Sequence, residues 1–247
     1  MKFVGVDLGW QSGPSGLCCL EQNDDRLELR SLDRKATLSE VLDWIDSIAP
    51  ASVPAMIAVD APTLIPNKTG MRISDRLAHK RFGKYHAGCY PANLGRPFAQ
   101  RLVQFGRDLE ARGFAHAPTI EAQTLGRYQI EVFPHPATIQ LFNLPKILKY
   151  KKGRLAQRQV ALETLRSLIL TGLSKHNPPL VLKDLPEIPA TGKAMKAIED
   201  QLDSILCAYV AAHWWWWGSD RNLVLGSLKE SYIVVPCPPD APESSML

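Results

Sequence analysis

Two apolar runs in this chain close on the same pair of residues. KFVGVD ends at Asp7, and AMIAVD, about fifty residues later, ends at Asp60. A third run, RYQIEVF, carries Glu131, and a helical stretch near the end holds Asp200 and Asp203, three apart and so on one face. Two carboxylates about 5 Å apart repel by roughly 3 kcal/mol at an effective dielectric of about 20. A converging set of five therefore needs protonation, arginines or cations. Oxygen donors without His or Cys suit Mg²⁺ or Mn²⁺. Two such ions about 3.5–4 Å apart activate a water and stabilise the leaving oxygen of a phosphodiester. A lone Asp at a strand end serves equally well as a turn former or helix cap, so the set carries the reading.

Other residues could serve the same site. Arg72, Asp75 and Arg76 open a helix just past Asp60, and arginine binds phosphate in a bidentate fork. The same residues would equally neutralise the acids or pair with one another. His135, between Pro134 and Pro136 just past a strand end, is placed to shuttle a proton or to be a loop histidine. Lys193 and Lys196 lie one to two turns before Asp200, facing a phosphate or pairing with Glu199 and Asp200.

The elements that must position these groups are legible from pattern. Residues 2–8, GLCCLEQ and RLELRSL read as a three-stranded antiparallel meander, the second and third strands joined by Asn23-Asp24-Asp25. Thr37 with Glu40 is a capping box, opening a helix with Leu38, Val41, Leu42 and Ile45 on one face. AMIAVD is continuous in apolar residues, as buried parallel strands are. A right-handed crossover puts it parallel to the first strand, with Asp7 and Asp60 at the carboxyl edge where ligands of α/β sheets bind. Residues 61–126 form a helical insertion, with helices at RISDRLAHKRF and PFAQRLVQFGRDLEARGF. RYQIEVF is the fifth strand, bringing Glu131 to the same region. Helices follow at about 137–149, 155–173 and 193–217, the first two separated by the basic loop Lys149–Arg154. VLGSLKESYIVVP is a terminal hairpin on a sheet edge. The expectation is one domain over residues 1–236 with a disordered tail at 237–247.

Composition narrows the class. The 247 residues are 45% hydrophobic and 22% charged, as in an ordinary globular chain. There is no apolar run of membrane length and no signal-like start, which excludes a membrane protein and points to the cytoplasm. Five cysteines, two of them adjacent, do not make a disulfide framework, and His86-x-x-Cys89 lacks the second pair a structural zinc site needs. Residues 71–200 carry 21 basic and 10 acidic side chains, against 6 and 10 in residues 1–70. Such a block attracts a polyanion such as nucleic acid, or is a solvated helical surface. Trp214–Trp217 points all round a helix, and suits packing or an oligomer contact better than base stacking.

VGVDLGW, AVDAP, MRISDR followed by CYPAN, EVFPHP, EDQLDSILCAYVAAH and YIVVP together resemble the family known as domain of unknown function 429 (DUF429), predicted ribonuclease-H-like nucleases. The resemblance spans residues 4 to about 235. It implies an α/β ribonuclease-H-like fold: a mixed five-stranded sheet, three strands antiparallel and two parallel, flanked by helices. It also implies a nuclease that hydrolyses phosphodiester bonds with Mg²⁺ or Mn²⁺, two ions held by Asp7, Asp60, Asp200 and Asp203, Asp7 bridging them. Glu131 falls in the family's strand motif. Two other readings stand beside it. One is a non-catalytic nucleic-acid or protein-binding module on the same fold. The other is an actin-like ATPase, which would need a second Asp-x-Gly hairpin that the chain lacks.

Overall fold

The computed structural model describes residues 1–239. In chain order the elements are β1 (Lys2–Asp7), β2 (Ser15–Asn23), β3 (Arg26–Lys35), α1 (Leu38–Ile48), β4 (Ala55–Val59), α2 (Ile73–Phe82), α3 (Ala99–Ala111), β5 (Ala115–His116), β6 (Arg127–Glu131), α4 (Pro134–Phe142), α5 (Leu155–Gly172), β7 (Leu180–Val181), α6 (Gly192–Trp217), β8 (Asn222–Ser227) and β9 (Ser231–Pro236). The main sheet runs β5-β6-β4-β1-β2-β3-β7. β1, β2 and β3 form the antiparallel meander, and β4 and β6 continue the sheet parallel to β1.

Alternation along the strands sends side chains to two apolar layers. Val4, Val6, Leu17, Cys19, Ile57 and Val59 pack against α1 and α3 through residues such as Ile45, Leu102 and Phe105. Phe3, Cys18, Leu20, Met56, Ala58 and Ile130 pack against α6 and α5. A smaller cluster joins α2 and α4 to the β8–β9 hairpin through Phe82, Ile139, Ile233 and Val235. With α6 covered on both sides, its stretch Leu202–Trp215 is buried at every position.

The sheet has seven strands, not the expected five. The additions, β5 and β7, are two-residue edge strands, too short to display any alternation in sequence. The terminal hairpin forms a separate two-stranded sheet, touching the main one through a parallel bridge of Val234 to Val132. The helix expected near 137–149 is α4, which starts at Pro134. Proline is at home in a first helical turn, where the N–H it lacks would be unpaired anyway. The expected tail lies, from residue 240 onward, outside the described residues.

The tryptophan run fastens the end of α6. Trp214 Nε1 donates to the Ala117 carbonyl (2.9 Å), Trp215 to Thr124 (2.8 Å) and Trp217 to Asn177 (2.6 Å), and Arg221 stacks on Trp217 at 3.7 Å. His213, one residue earlier, is 1% exposed and pairs through Nδ1 with Asn222 Oδ1 at 2.8 Å. Burial lowers its pKa to about 4. A base whose folded pKa is lowered binds fewer protons folded than unfolded, so its stabilising share is lost as pH falls from about 6.5 towards 4. His213→Gln is therefore expected to be less pH-sensitive than the wild type across that window. The difference should approach about 3 kcal/mol in urea titrations at pH 7 and pH 4.

Candidate functional site

Parallel pairing of β1 with β4 runs from Lys2–Ala55 to Val6–Val59. Asp60 N–H then donates to the Val6 carbonyl at 2.9 Å, so the next step sets Asp7 beside Asp60. Period two puts Asp7 on the pleat of Phe3 and Gly5, and Asp60 on that of Met56 and Ala58, the face covered by α6. That helix lies hard against the strands. A Cβ on Gly5 would fall onto the Ser204 carbonyl oxygen and Ala208 nitrogen, and one on Gly16 onto the Asp200 carbonyl. Two missing side chains thus let the helix backbone settle where Asp200 and Asp203 reach the ends of β1 and β4.

Asp203 is fully buried. Its Oδ1 accepts from Tyr150 Oη at 2.7 Å. Lys151 Nζ lies 2.8 Å from Oδ2 and 3.8 Å from Asp60 Oδ2, but off the line a hydrogen bond needs, so Asp203 Oδ2 accepts none. Asp200 is held by Arg34 Nε at 2.9 Å and Lys196 Nζ at 2.7 Å. Arg34 pairs across from Gly16 in the β2–β3 register, which is why it reaches that carboxylate.

The Asp7 and Asp60 carboxyl groups lie close enough for each to act on the other's charge. Burial, with the repulsion of Asp203, Asp60 and Asp200, pushes Asp7 well above the usual carboxylate range despite the pull of Lys151. Burial and Asp203 raise Asp60 to about 6, against Lys151. Lys151 is raised above its ordinary value: burial disfavours its charge, but Asp203, Asp7 and Asp60 outweigh it.

Glu131 stands apart from this set. It pairs with Val59, one residue short of Asp60, so it sits on the opposite pleat. There it accepts a bidentate pair from Arg72 (2.6 and 2.7 Å), whose guanidinium also binds Asp75 at 2.7 Å and the Leu64 carbonyl at 3.0 Å. Burial moves Glu131 up to about 7 while Arg72 opposes it. Of the roles open to Arg72, the structure selects charge neutralisation. Arg72→Met strands two buried carboxylates, and its expected cost in chemical unfolding is about 3–5 kcal/mol at pH 7.

Arg76 and Lys193 are exposed and do not line the cleft, whereas Lys196 makes the pairs with Glu199 (2.6 Å) and Asp200 that its spacing suggested. His135 does line the cleft, in the first turn of α4. Its Nδ1 is buried without a hydrogen bond, its ring lies 5.4 Å from Tyr150, and burial lowers its pKa to about 4.

These residues floor and wall a cleft of ≈ 600 Å³, ample for a nucleotide-sized group. Trp10 and Tyr90 also line it; Trp10 Nε1 donates to the Asp60 carbonyl at 3.0 Å, and Tyr90 is 59% exposed. Sequence reasoning missed Tyr150, Lys151, Arg34 and this aromatic rim as site residues. The one signal for the first two was the basic loop at 149–154. Among the described residues no three His, Cys, Asp or Glu side chains converge as a ready metal shell. Basic side chains stand between the acids. The donor chemistry nonetheless fits a hard divalent cation: every candidate ligand is an oxygen, and Asp203 Oδ2 is buried with no hydrogen bond.

A family model described as Protein of unknown function (DUF429) matches residues 5–224, a span holding every carboxylate of the cleft. Comparison with the curated proteins found no match.

Proposed function

We propose, from the premise that the chain belongs to the DUF429 family of proteins of unknown function, that it is a ribonuclease-H-like, metal-dependent nuclease acting on DNA or RNA. The inner five strands, three antiparallel and two parallel, support the fold reading. The observation that carries the function is the meeting of Asp7, Asp60 and Asp203, from three distant segments, beside Asp200 at the carboxyl ends of β1 and β4.

Asp7, Asp60, Asp203 and Asp200 would hold Mg²⁺ or Mn²⁺, which supplies an activated water and stabilisation of the leaving oxygen. Lys196 and Arg34 flank the acids and would meet the phosphate. His135 lines the cleft wall as a neutral ring, but with its pKa lowered to about 4 and its Nδ1 buried it is a weak base for proton transfer. Trp10 and Tyr90 at the mouth are suited to stacking an unpaired base. Glu131, held by Arg72, shapes the wall rather than the chemistry.

The test is to incubate purified protein with single-stranded and duplex DNA and RNA in Mg²⁺ or Mn²⁺. Cleavage that stops on chelation is expected; cleavage that continues in chelator would remove the mechanism. Tyr90→Ala should weaken binding of single-stranded oligonucleotide about tenfold by calorimetry, from the loss of one stacking partner.

A second reading has one observation in its favour. Lys151, Arg34 and Lys196 already offset several of the acids, as a binding module without catalysis would require. Millimolar Mn²⁺ that leaves the melting temperature unmoved would favour it.

A further inference from the structure

Lys151 arrives at the acids on a firmly held loop. Tyr150, beside it, is fully buried, donates to Asp203 and, through its carbonyl, accepts from Arg158 Nε at 2.8 Å. The lysine is thereby delivered to one place, 2.8 Å from Asp203 Oδ2 and 3.8 Å from Asp60 Oδ2. That is where a cation belongs if Asp203 and Asp60 are to share one. The charges of the cleft point the same way. Asp7, Asp60, Asp75, Glu131 and Asp200 line it, with Asp203 behind, and they face Arg34, Arg72, Lys151 and Lys196. With every carboxylate ionised, the acids exceed the fixed cations by two charges, which one divalent ion neutralises and two would overturn.

We infer that the ammonium of Lys151 stands in for one of the two cations, so that the cleft takes a single divalent ion, held by Asp7, Asp60 and Asp203. The inference rests on the nuclease reading and revises its ion count. Lys151 is then a built-in positive charge that chelation does not remove. It holds Asp203 in place before the ion arrives and lies beside the phosphate afterwards.

The experiment is Mn²⁺ titration of the whole chain by calorimetry, with bound ions counted by electron paramagnetic resonance. The wild type is expected to bind one ion. Lys151→Met should bind a second, or bind the first at least tenfold more tightly, because the competing charge is gone. Lys151→Arg keeps the charge and should keep one ion; it also serves as the folded comparison if the Met variant does not fold. Two ions in the wild type, or a Lys151→Met titration that matches it, overturns the inference and leaves the nuclease reading standing. No ion bound by any of the three proteins removes both.

Discussion

Asp7→Asn is expected to lower metal-dependent cleavage by about a thousandfold or more, and to leave the metal-free protein at least as stable as the wild type. The two halves of this result have one cause. Asp7 is buried among Asp60, Asp203 and Asp200, and burial with their repulsion disfavours its charge. An asparagine amide can donate to Asp60 and carries no charge to set against its neighbours. The ligand oxygen is lost and the repulsion goes with it, a trade of function against stability. A gain of about 1 kcal/mol, or about 3 °C in Tm, is the scale to look for in urea and thermal unfolding at pH 7. An Asp7→Asn protein that still cleaves at wild-type rate would sink the proposed role, and one that is inactive because it is unfolded would sink the stability argument.

Gly5→Ala is expected to destabilise by about 3–5 kcal/mol and to abolish Mn²⁺ binding, although it touches no ligand. The added methyl would meet helix backbone, the Ser204 carbonyl and Ala208 nitrogen, not a side chain that can swing away. Relief requires α6 to lift from β1, carrying Asp200 and Asp203 with it. Gly13→Ala is the matched control: a Cβ there meets nothing within 4 Å, and a change under about 0.5 kcal/mol is expected. Equal unfolding midpoints for the two variants would show that the close approach of α6 to the sheet is not what positions the acids.

Most of the main sheet and the long helix could be read from the chain because their patterns are strong. The Thr37–Glu40 box closes as expected, with Glu40 N–H donating to Thr37 Oγ1 at 3.2 Å and Thr37 N–H to Glu40 Oε2 at 2.9 Å. Asp7 and Asp60 were found together because two continuous strands ended alike. Glu131 reaches the cleft as its strand implied, but on the opposite pleat from Asp60, for a reason of parity. One residue decides which side of a strand a carboxylate faces, and strand length alone does not reveal the register between neighbours. Lys151 escaped because a loop has no period; nothing in Lys149–Arg154 says which of its bases turns inward. Arg72 was noticed, but whether an arginine meets a phosphate or neutralises a buried acid depends on partners 3 and 59 positions away.

The uneven placement of the indoles matters for optical work on this protein. Four of the six tryptophans sit together at the far end of α6, two of them almost fully enclosed, while Trp10 alone borders the acids through its bond to the Asp60 carbonyl. Intrinsic emission will thus follow the melting of that distant helix end and be nearly blind to the cleft. Replacing Trp10 with phenylalanine and subtracting the two spectra would isolate the single chromophore that senses whatever enters.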